Sequence, residues 1–215
     1  MTDIHCHILP CVDDGARDSD MTLRMLDAAA RGGVRVLFAT PHLMRANQNI
    51  AGIQRRFELM LPLARERGIE LRLGFEIHYM ALPDARDLSA FCMGDTNALL
   101  VELPFSAPFP NWLSYLERLS KRYRLIIAHP ERYTYIQKDR ALAGALRQIG
   151  CELQLSANAF LLSPLHPARR AAQAILSANK ANYIATDAHT DAEYPRLLRA
   201  VIDHRHMCDP GRLLT

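Results

Sequence analysis

The sequence predicts an α/β protein whose strands run parallel and are joined by helical crossovers. Seven short apolar runs, rich in β-branched and aromatic residues, alternate along the chain with amphipathic stretches of helical period. Several of the helical stretches close on glycine, at Gly32-Gly33, Gly68 and Gly150. A strand that returns to its sheet through a helix lies parallel to the strand it left. With 215 residues, 49% apolar and 23% charged, the chain can bury one sizeable core, and a single domain spanning 1–215 is expected.

In order, the strands are expected at residues 3–6, 34–39, 70–77, 98–103, 124–128, 151–155 and 182–186. Helices are expected at 19–31, 50–67, 112–122, 139–149, 164–179 and 194–205. Residues 79–97 have no clear period and read as a long loop with room for one short helical turn. There is no internal repeat and no low-complexity linker.

Charge narrows the partners. Twenty-six basic and 23 acidic residues leave a net charge of +3, too balanced for nucleic acid or a membrane surface to be the main partner. No apolar run approaches a membrane span, and Met1 leads almost directly into the first strand without a basic, hydrophobic leader, so a cytoplasmic location is expected. Five cysteines without paired spacing read as free thiols.

The chemistry concentrates at strand ends. His5 and His7 are two apart, which puts both imidazoles on one face of the first strand. Asp3, by the same alternation, is expected beside them as the acceptor that fixes one tautomer. The second strand is followed by Thr40-Pro41-His42, and the third contains Glu76. The fourth holds Glu102, the fifth leads into His129-Pro130-Glu131-Arg132, and the seventh leads into Asp187-Ala188-His189. In a parallel α/β barrel such positions converge in space. A charged group in an apolar strand is costly unless paired or metal-bound, so a set of them at equivalent positions favours a metal site.

These motifs, Asp3-Ile-His-Cys-His with Val12-Asp-Asp-Gly15, Thr40-Pro-His42, Gly74-Phe-Glu-Ile77, Glu102, Ala128-His-Pro-Glu-Arg-Tyr133 and Thr186-Asp-Ala-His189, resemble the polymerase and histidinol phosphatase superfamily. The likeness is greatest to its bacterial protein-tyrosine phosphatases of capsular and exopolysaccharide gene clusters, and it runs in order from residue 3 to residue 189. The resemblance implies a distorted seven-stranded (β/α) barrel holding three divalent metal ions. His5, His7, Glu76 and Asp187 would hold one ion, with Glu76 bridging to a second held by Glu102 and His129. Asp14, His42 and His189 would hold the third. Manganese leads the candidates, and mixed histidine and carboxylate ligation also accepts iron, cobalt or zinc. Arg132 would grip the phosphoryl oxygens through its planar, permanently charged fork, or else form a rim salt bridge with Glu131. Clustered cations would activate water for in-line attack on phosphorus, with no protein nucleophile. The implied partner is the phosphotyrosine-bearing tail of a bacterial tyrosine kinase. A small phosphomonoester such as histidinol phosphate, a phosphodiester, or a non-catalytic metal-binding regulator are the alternatives; oligomeric state is left open.

Cys11 and Arg17 match the C-x5-R spacing of cysteine-dependent phosphatases, but Asp13 and Asp14 inside that loop would raise a thiol pKa and repel phosphate. Cys6 is expected on the opposite strand face from the histidines, in the core. His78 shares a face with Glu76 if the third strand persists. His166, His204 and His206 are expected to be solvated, Trp112 to line either core or cleft, and Arg45 to be exposed near the mouth. After His189 the segment Thr190-Asp-Ala-Glu193 is acidic, where the resemblance would have another phosphate-binding arginine.

Overall fold

The computed structural model describes residues 1–82 and 87–204. Its elements follow the expected alternation: β1 (Thr2–Cys6), α1 (Ser19–Arg31), β2 (Val36–Ala39), β3 (His42–Leu43), α2 (Ile50–Glu66), β4 (Glu70–Leu73), β5 (Glu76–His78), β6 (Ala98–Glu102), α3 (Trp112–Ser120), β7 (Arg124–Ala128), α4 (Thr134–Lys138), α5 (Ala141–Gln148), β8 (Glu152–Ser156), α6 (Asn158–Leu161), α7 (Pro167–Ser177), β9 (Tyr183–Ala185) and α8 (Tyr194–His204). The short helices α4 and α6 were not expected; at five and four residues they are too brief to show a period. Of the long loop, 3₁₀ turns at Tyr79–Ala81 and Ser89–Phe91 are seen, and residues 83–86 lie outside the described residues.

The strands form two sheets, ordered β1-β2-β4 and β3-β5-β6-β7-β8-β9, with every pairing parallel. Thr40-Pro41 separates β2 from β3, and Gly74-Phe75 separates β4 from β5, so the nine fragments make seven passes. Proline has no N–H to give a ladder, which accounts for the first break. The ring is joined at β1 and β9, where the Asp187 N–H donates to the His5 carbonyl at 2.8 Å and the His7 N–H to the Ala188 carbonyl at 2.9 Å. The expected distorted (β/α) barrel therefore takes the form of two sheets that share two interrupted passes and meet at a short seam.

Two apolar layers hold it. Inside the ring lie Ile4, Val36, Phe38, Leu100, Ile126 and Tyr183 with their neighbours; outside it a larger cluster fills the space between strands and helices. Each fully buried large side chain contributes about 1.5–3 kcal/mol. At the N-terminal ends of the strands the ring is plugged by a satisfied polar network. Arg124 Nε donates to Glu152 Oε1 at 2.9 Å, and the Tyr183 hydroxyl donates to Glu152 Oε2 at 2.6 Å.

The expectation that Asp3 stands beside the histidines is overturned. β1 pairs Asp3 with Leu37 and then Cys6 with Ala39, three steps against two, which marks a β-bulge. One extra residue swaps faces. Asp3 falls on the outer face, where its carboxylate accepts from the Thr186 N–H at 3.0 Å, the Thr186 hydroxyl at 2.6 Å and the Tyr194 hydroxyl at 3.0 Å. It fastens the seam to α8 and does not orient an imidazole. Among the described residues no helix is long and apolar enough to cross a membrane.

Candidate metal centre

The nine expected ligands meet at the C-terminal ends of the strands. β1 delivers His5 and His7, the loop after it Asp14, and β3 His42. β5 delivers Glu76 and β6 Glu102; His129 follows β7, and Asp187 and His189 follow β9. His5, His7, Glu76, Glu102, His129 and Asp187 are buried, whereas Asp14, His42 and His189 stand at the rim. His129 and Asp187 both have positive φ, 31° and 53°, a conformation costing about 1–3 kcal/mol that turns each side chain at a strand end.

Three groupings emerge. His5 Nε2 lies 3.2 Å from His7 Nε2, 3.4 Å from Glu76 Oε2 and 3.4 Å from Asp187 Oδ1, and His7 Nε2 lies 3.3 Å from Glu76 Oε2 and 3.6 Å from Asp187 Oδ1. Donor atoms about 2.1 Å from one ion in tetrahedral array would stand roughly 3.4 Å apart. At the rim, Asp14 Oδ1 is 3.4 Å from His42 Nε2 and 3.5 Å from His189 Nε2, with His7 completing that group. The third grouping differs from expectation in detail. Glu76 and Glu102 converge with His42, while His129 Nε2 lies 2.7 Å from Glu76 Oε1 and 3.7 Å from Glu102 Oε1. Glu76 and His42 thus each face two groups.

Two residues that the sequence did not single out orient the imidazoles. His7 Nδ1–H donates to Asp13 Oδ2 at 2.8 Å, and the same oxygen accepts from the His42 N–H at 3.0 Å. His5 Nδ1–H donates to Gln154 Oε1 at 2.9 Å, and the Gln154 amide is itself fixed by donating to the Leu155 carbonyl at 2.8 Å. Both imidazoles consequently present Nε2 to the centre. The Asp13 loop can fold this close only because of Gly15, where any Cβ would collide with the His7 carbonyl oxygen. The acidic segment after His189 is structural: Thr190 and Glu193 form a reciprocal capping box for α8, and Glu193 Oε1 also accepts from the His189 N–H at 2.6 Å. Asp191 pairs with Arg24.

The site's charges are strongly coupled. Burial disfavours a charged His5, but Glu76 and Asp187 outweigh it and lift His5 to about 9. Burial would likewise raise Asp187, yet His5 and His7 hold it well below the usual carboxylate range. Glu102 is pushed up to about 7 by burial and by the Glu76 charge. Burial opposes ionisation of Asp13 as well, but the His7 hydrogen bond keeps it near 2.

The donor set fits divalent ions on a further observation. Glu76 Oε2, Asp187 Oδ1 and His42 Nδ1 are buried without a hydrogen-bond partner. His42 Nδ1 lies 2.9 Å from Glu76 Oε2 but without the alignment of a hydrogen bond. Buried polar atoms are almost always paired. Several orphans converging on shared points are what ligand atoms look like without their ion.

Arg132 stands at the mouth, 45% exposed in its side chain, and Nη1 donates to Asp187 Oδ2 at 3.1 Å. It does not pair with Glu131, which is fully buried, accepts from the Ser156 N–H at 3.0 Å and is pushed up to about 8 by burial. A cavity of about 620 Å³ opens beside Arg132, Asp187 and His189 and runs towards α6, α7 and α8.

Of the other residues, Cys11 is exposed, its thiol donates to the Arg17 carbonyl, and the Arg17 guanidinium turns to Asp18. No anion cradle forms there. Cys6 is buried in the outer core and Trp112 belongs to the same core. His78 does share the Glu76 face, since β5 extends to it, and its ring lies 4.5 Å from that of Tyr79. Arg45 is exposed. His166 is exposed but caps α7, accepting from the Ala168 N–H. His204 is not solvated as expected: it is half-buried and stacks on Phe160 at 4.2 Å. His206 lies outside the described residues.

Comparison with known proteins finds relatives of this sequence and fold. Residues 1–206 match the family described as "Capsular polysaccharide synthesis, CpsB/CapC". The tyrosine-protein phosphatase YwqE of Bacillus subtilis is 31% identical over 201 residues, 88% of this chain and 77% of that protein. The putative tyrosine-protein phosphatase CapC of Staphylococcus aureus is 27% identical over 214 residues, 96% of this chain and 84% of its own length. A solved structure from work on YwqE and on CpsB of Streptococcus pneumoniae, described as unique metal-dependent tyrosine phosphatases, superimposes with a TM-score of 0.83. It is 26% identical, and the match covers 100% of this chain and 91% of that one. A TatD-like protein from Archaeoglobus fulgidus shares the fold alone, at a TM-score of 0.53 and 15% identity. The chain therefore belongs to the CpsB/CapC family of capsular polysaccharide synthesis.

Proposed function

We propose that this chain is, as one catalytic unit, a metal-dependent protein-tyrosine phosphatase, with the phosphotyrosine tail of a polysaccharide-biosynthesis kinase as its substrate. The observation that carries the reading is the set of orphaned, buried carboxylate and imidazole atoms at ligand spacing, lying next to the half-exposed Arg132 that lines a cavity. His5, His7, Glu76 and Asp187 would hold one ion; Glu76, Glu102 and His129 would hold a second; Asp14, His42 and His189 would hold the third. Manganese suits this hard-to-borderline ligand mixture, as do iron, cobalt and zinc. When bound, the ions neutralise the phosphoryl oxygens and activate the attacking water.

The chain's own groups do the rest. Asp13 and Gln154 hold the His7 and His5 tautomers, so neither ring has to reorient on ligation. Arg132 uses one N–H on Asp187 and has further donors for the phosphoryl oxygens, whose charge it stabilises most in the transition state. Among the described residues no cysteine takes part, because the exposed thiol with the C-x5-R spacing, Cys11, faces no anion site. The four described cysteines are free, which suits a reducing, cytoplasmic setting.

The test is a substrate panel on metal-depleted and metal-reloaded protein. Chelation should abolish hydrolysis of a phosphotyrosine peptide and reloading should restore it, with histidinol phosphate and phosphodiesters much poorer substrates. Activity that survives chelation, or that prefers histidinol phosphate, overturns the reading.

A further inference from the structure

Most of the described large apolar side chains are buried, but Phe105 is 39% exposed and lines the cavity together with Arg132. Its position is held firmly. The residue lies in the loop after β6, and its carbonyl accepts from the Thr134 N–H at 2.9 Å and from the Thr134 hydroxyl at 3.2 Å. Its ring lies nearly parallel to His129, at 5.8 Å and 12°, and meets the Tyr133 ring at 5.8 Å and 62°. The Arg132 guanidinium carbon sits 5.0 Å from the ring centroid. One side chain thus touches both a ligand candidate and the candidate phosphoryl arginine, and still has surface left over. Metal binding does not require a phenyl ring there, and core packing would have buried it.

We propose that the cavity wall formed by Phe105 is the subsite for the aryl ring of the substrate, and that Phe105 sets the preference for aryl over alkyl phosphates. The inference rests on the phosphatase reading above. A phosphoryl group held by the ions and Arg132 carries its ester oxygen towards the cavity, and the ring of an aryl phosphate begins one bond beyond that oxygen. Phe105 is the aromatic surface lining the cavity at that point, with Ala159, Leu162 and Leu197 continuing the apolar wall. Aromatic pairs meet edge to face or offset-stacked and gain more than their buried area alone. An alkyl phosphate brings no ring to this surface, so only the aryl ester collects that contact. Because the Phe105 backbone and ring are already fixed, little ordering is lost when the substrate arrives.

Phe105→Ala, Phe105→Leu and Phe105→Trp, each metal-loaded, are compared with the parent protein on a phosphotyrosine peptide and on β-glycerophosphate. A peptide carrying phosphonomethylphenylalanine gives binding without turnover. Phe105→Ala should raise KM for the phosphotyrosine peptide and weaken the phosphonate peptide by about tenfold, the scale of one aromatic pair, with kcat and the β-glycerophosphate rate little changed. Phe105→Leu should recover part of the loss and Phe105→Trp most of it. Equal losses on both substrates would mean that Phe105 only supports His129 and Arg132, and would overturn the subsite. No loss on either would overturn it too. A parent protein inactive on aryl phosphates overturns the phosphatase reading itself, whereas an active parent indifferent to Phe105→Ala overturns the subsite alone.

Discussion

The two ends of the barrel both gather charged side chains, but they treat them in opposite ways. At the N-terminal end Arg124, Glu152 and Tyr183 satisfy one another through short hydrogen bonds. At the C-terminal end Glu76 Oε2 and Asp187 Oδ1 have no hydrogen-bond partner, although histidines crowd around them. One network is complete in itself; the other is complete only with something added. The difference shows why a cluster of charge alone does not mark a functional site, and why buried, unpaired acceptors sharing a focus do.

The largest expected effect sharpens that contrast. Glu76→Gln should lower phosphatase turnover by about a hundredfold or more and cut metal content at two sites, with the fold retained. Arg124→Ala, at the complete end, should leave turnover nearly intact and cost about 1 kcal/mol of stability, because Glu152 Oε1 loses its donor while Oε2 keeps the Tyr183 hydroxyl. Metal analysis, steady-state kinetics and urea melts on both variants check the pair; a Glu76→Gln protein with full metal content would erase the distinction.

Next in size is Arg132→Ala. A donor aimed at developing charge is worth about 3 kcal/mol, so turnover should fall by roughly two orders of magnitude. Metal content and melting temperature should hold, since the side chain is 45% exposed. Arg132→Lys should recover only part, as a point charge replaces a fork. A collapse of the fold in Arg132→Ala would return the residue to a structural ion pair with Asp187.

The smallest effect is a pH dependence that should differ with metal loading. His5, lifted from 6.5 to about 9, contributes stability that is full below pH 6.5 and lost as pH rises through 9. Glu102, lifted from 4.5 to about 7, contributes stability that is full below pH 4.5 and lost as pH rises through 7. Asp187 and Asp13 are depressed, so their contributions are already complete above pH 4 or so. The metal-free protein should therefore lose stability between about pH 4.5 and pH 9. Ligation keeps the same groups deprotonated and should flatten the loss. Melting curves with and without metal should diverge over this range; parallel curves would contradict the assigned ligands.

Much of this was legible in the chain because local pattern determined it. α1 and β7 begin and end where periodicity put them, and every expected ligand stands at or after a strand end, since strand alternation and the parallel crossover rule act over short range. The missed features are set by register and by contacts remote in sequence. Asp3 left its face through a bulge, which depends on how β1 matches β2. Gln154, 149 residues from His5, and Asp13, within a loop read for its Asp14 ligand and as hostile to a thiolate, orient the imidazoles through tertiary contacts. Asp13 carried one available signal: the glycine two places on, which lets the loop lie against His7. Phe105 lay in a proline-rich loop with no period to read.

The seam between β1 and β9 has a consequence for how the protein is made. Asp3 and Thr186, bonded across it, are 183 residues apart in sequence, and His5, His7, Asp187 and His189 lie on its two sides. A chain emerging from the ribosome carries the first two histidines early but cannot bring them to Asp187 until nearly the whole barrel has been synthesised. Joining such distant segments is the slow, entropically costly step of folding. An ion held by the proposed ligands on both sides of the seam would act as a clasp that disfavours reopening, so metal supply should govern how long a newly made molecule stays folded as well as how fast it turns over.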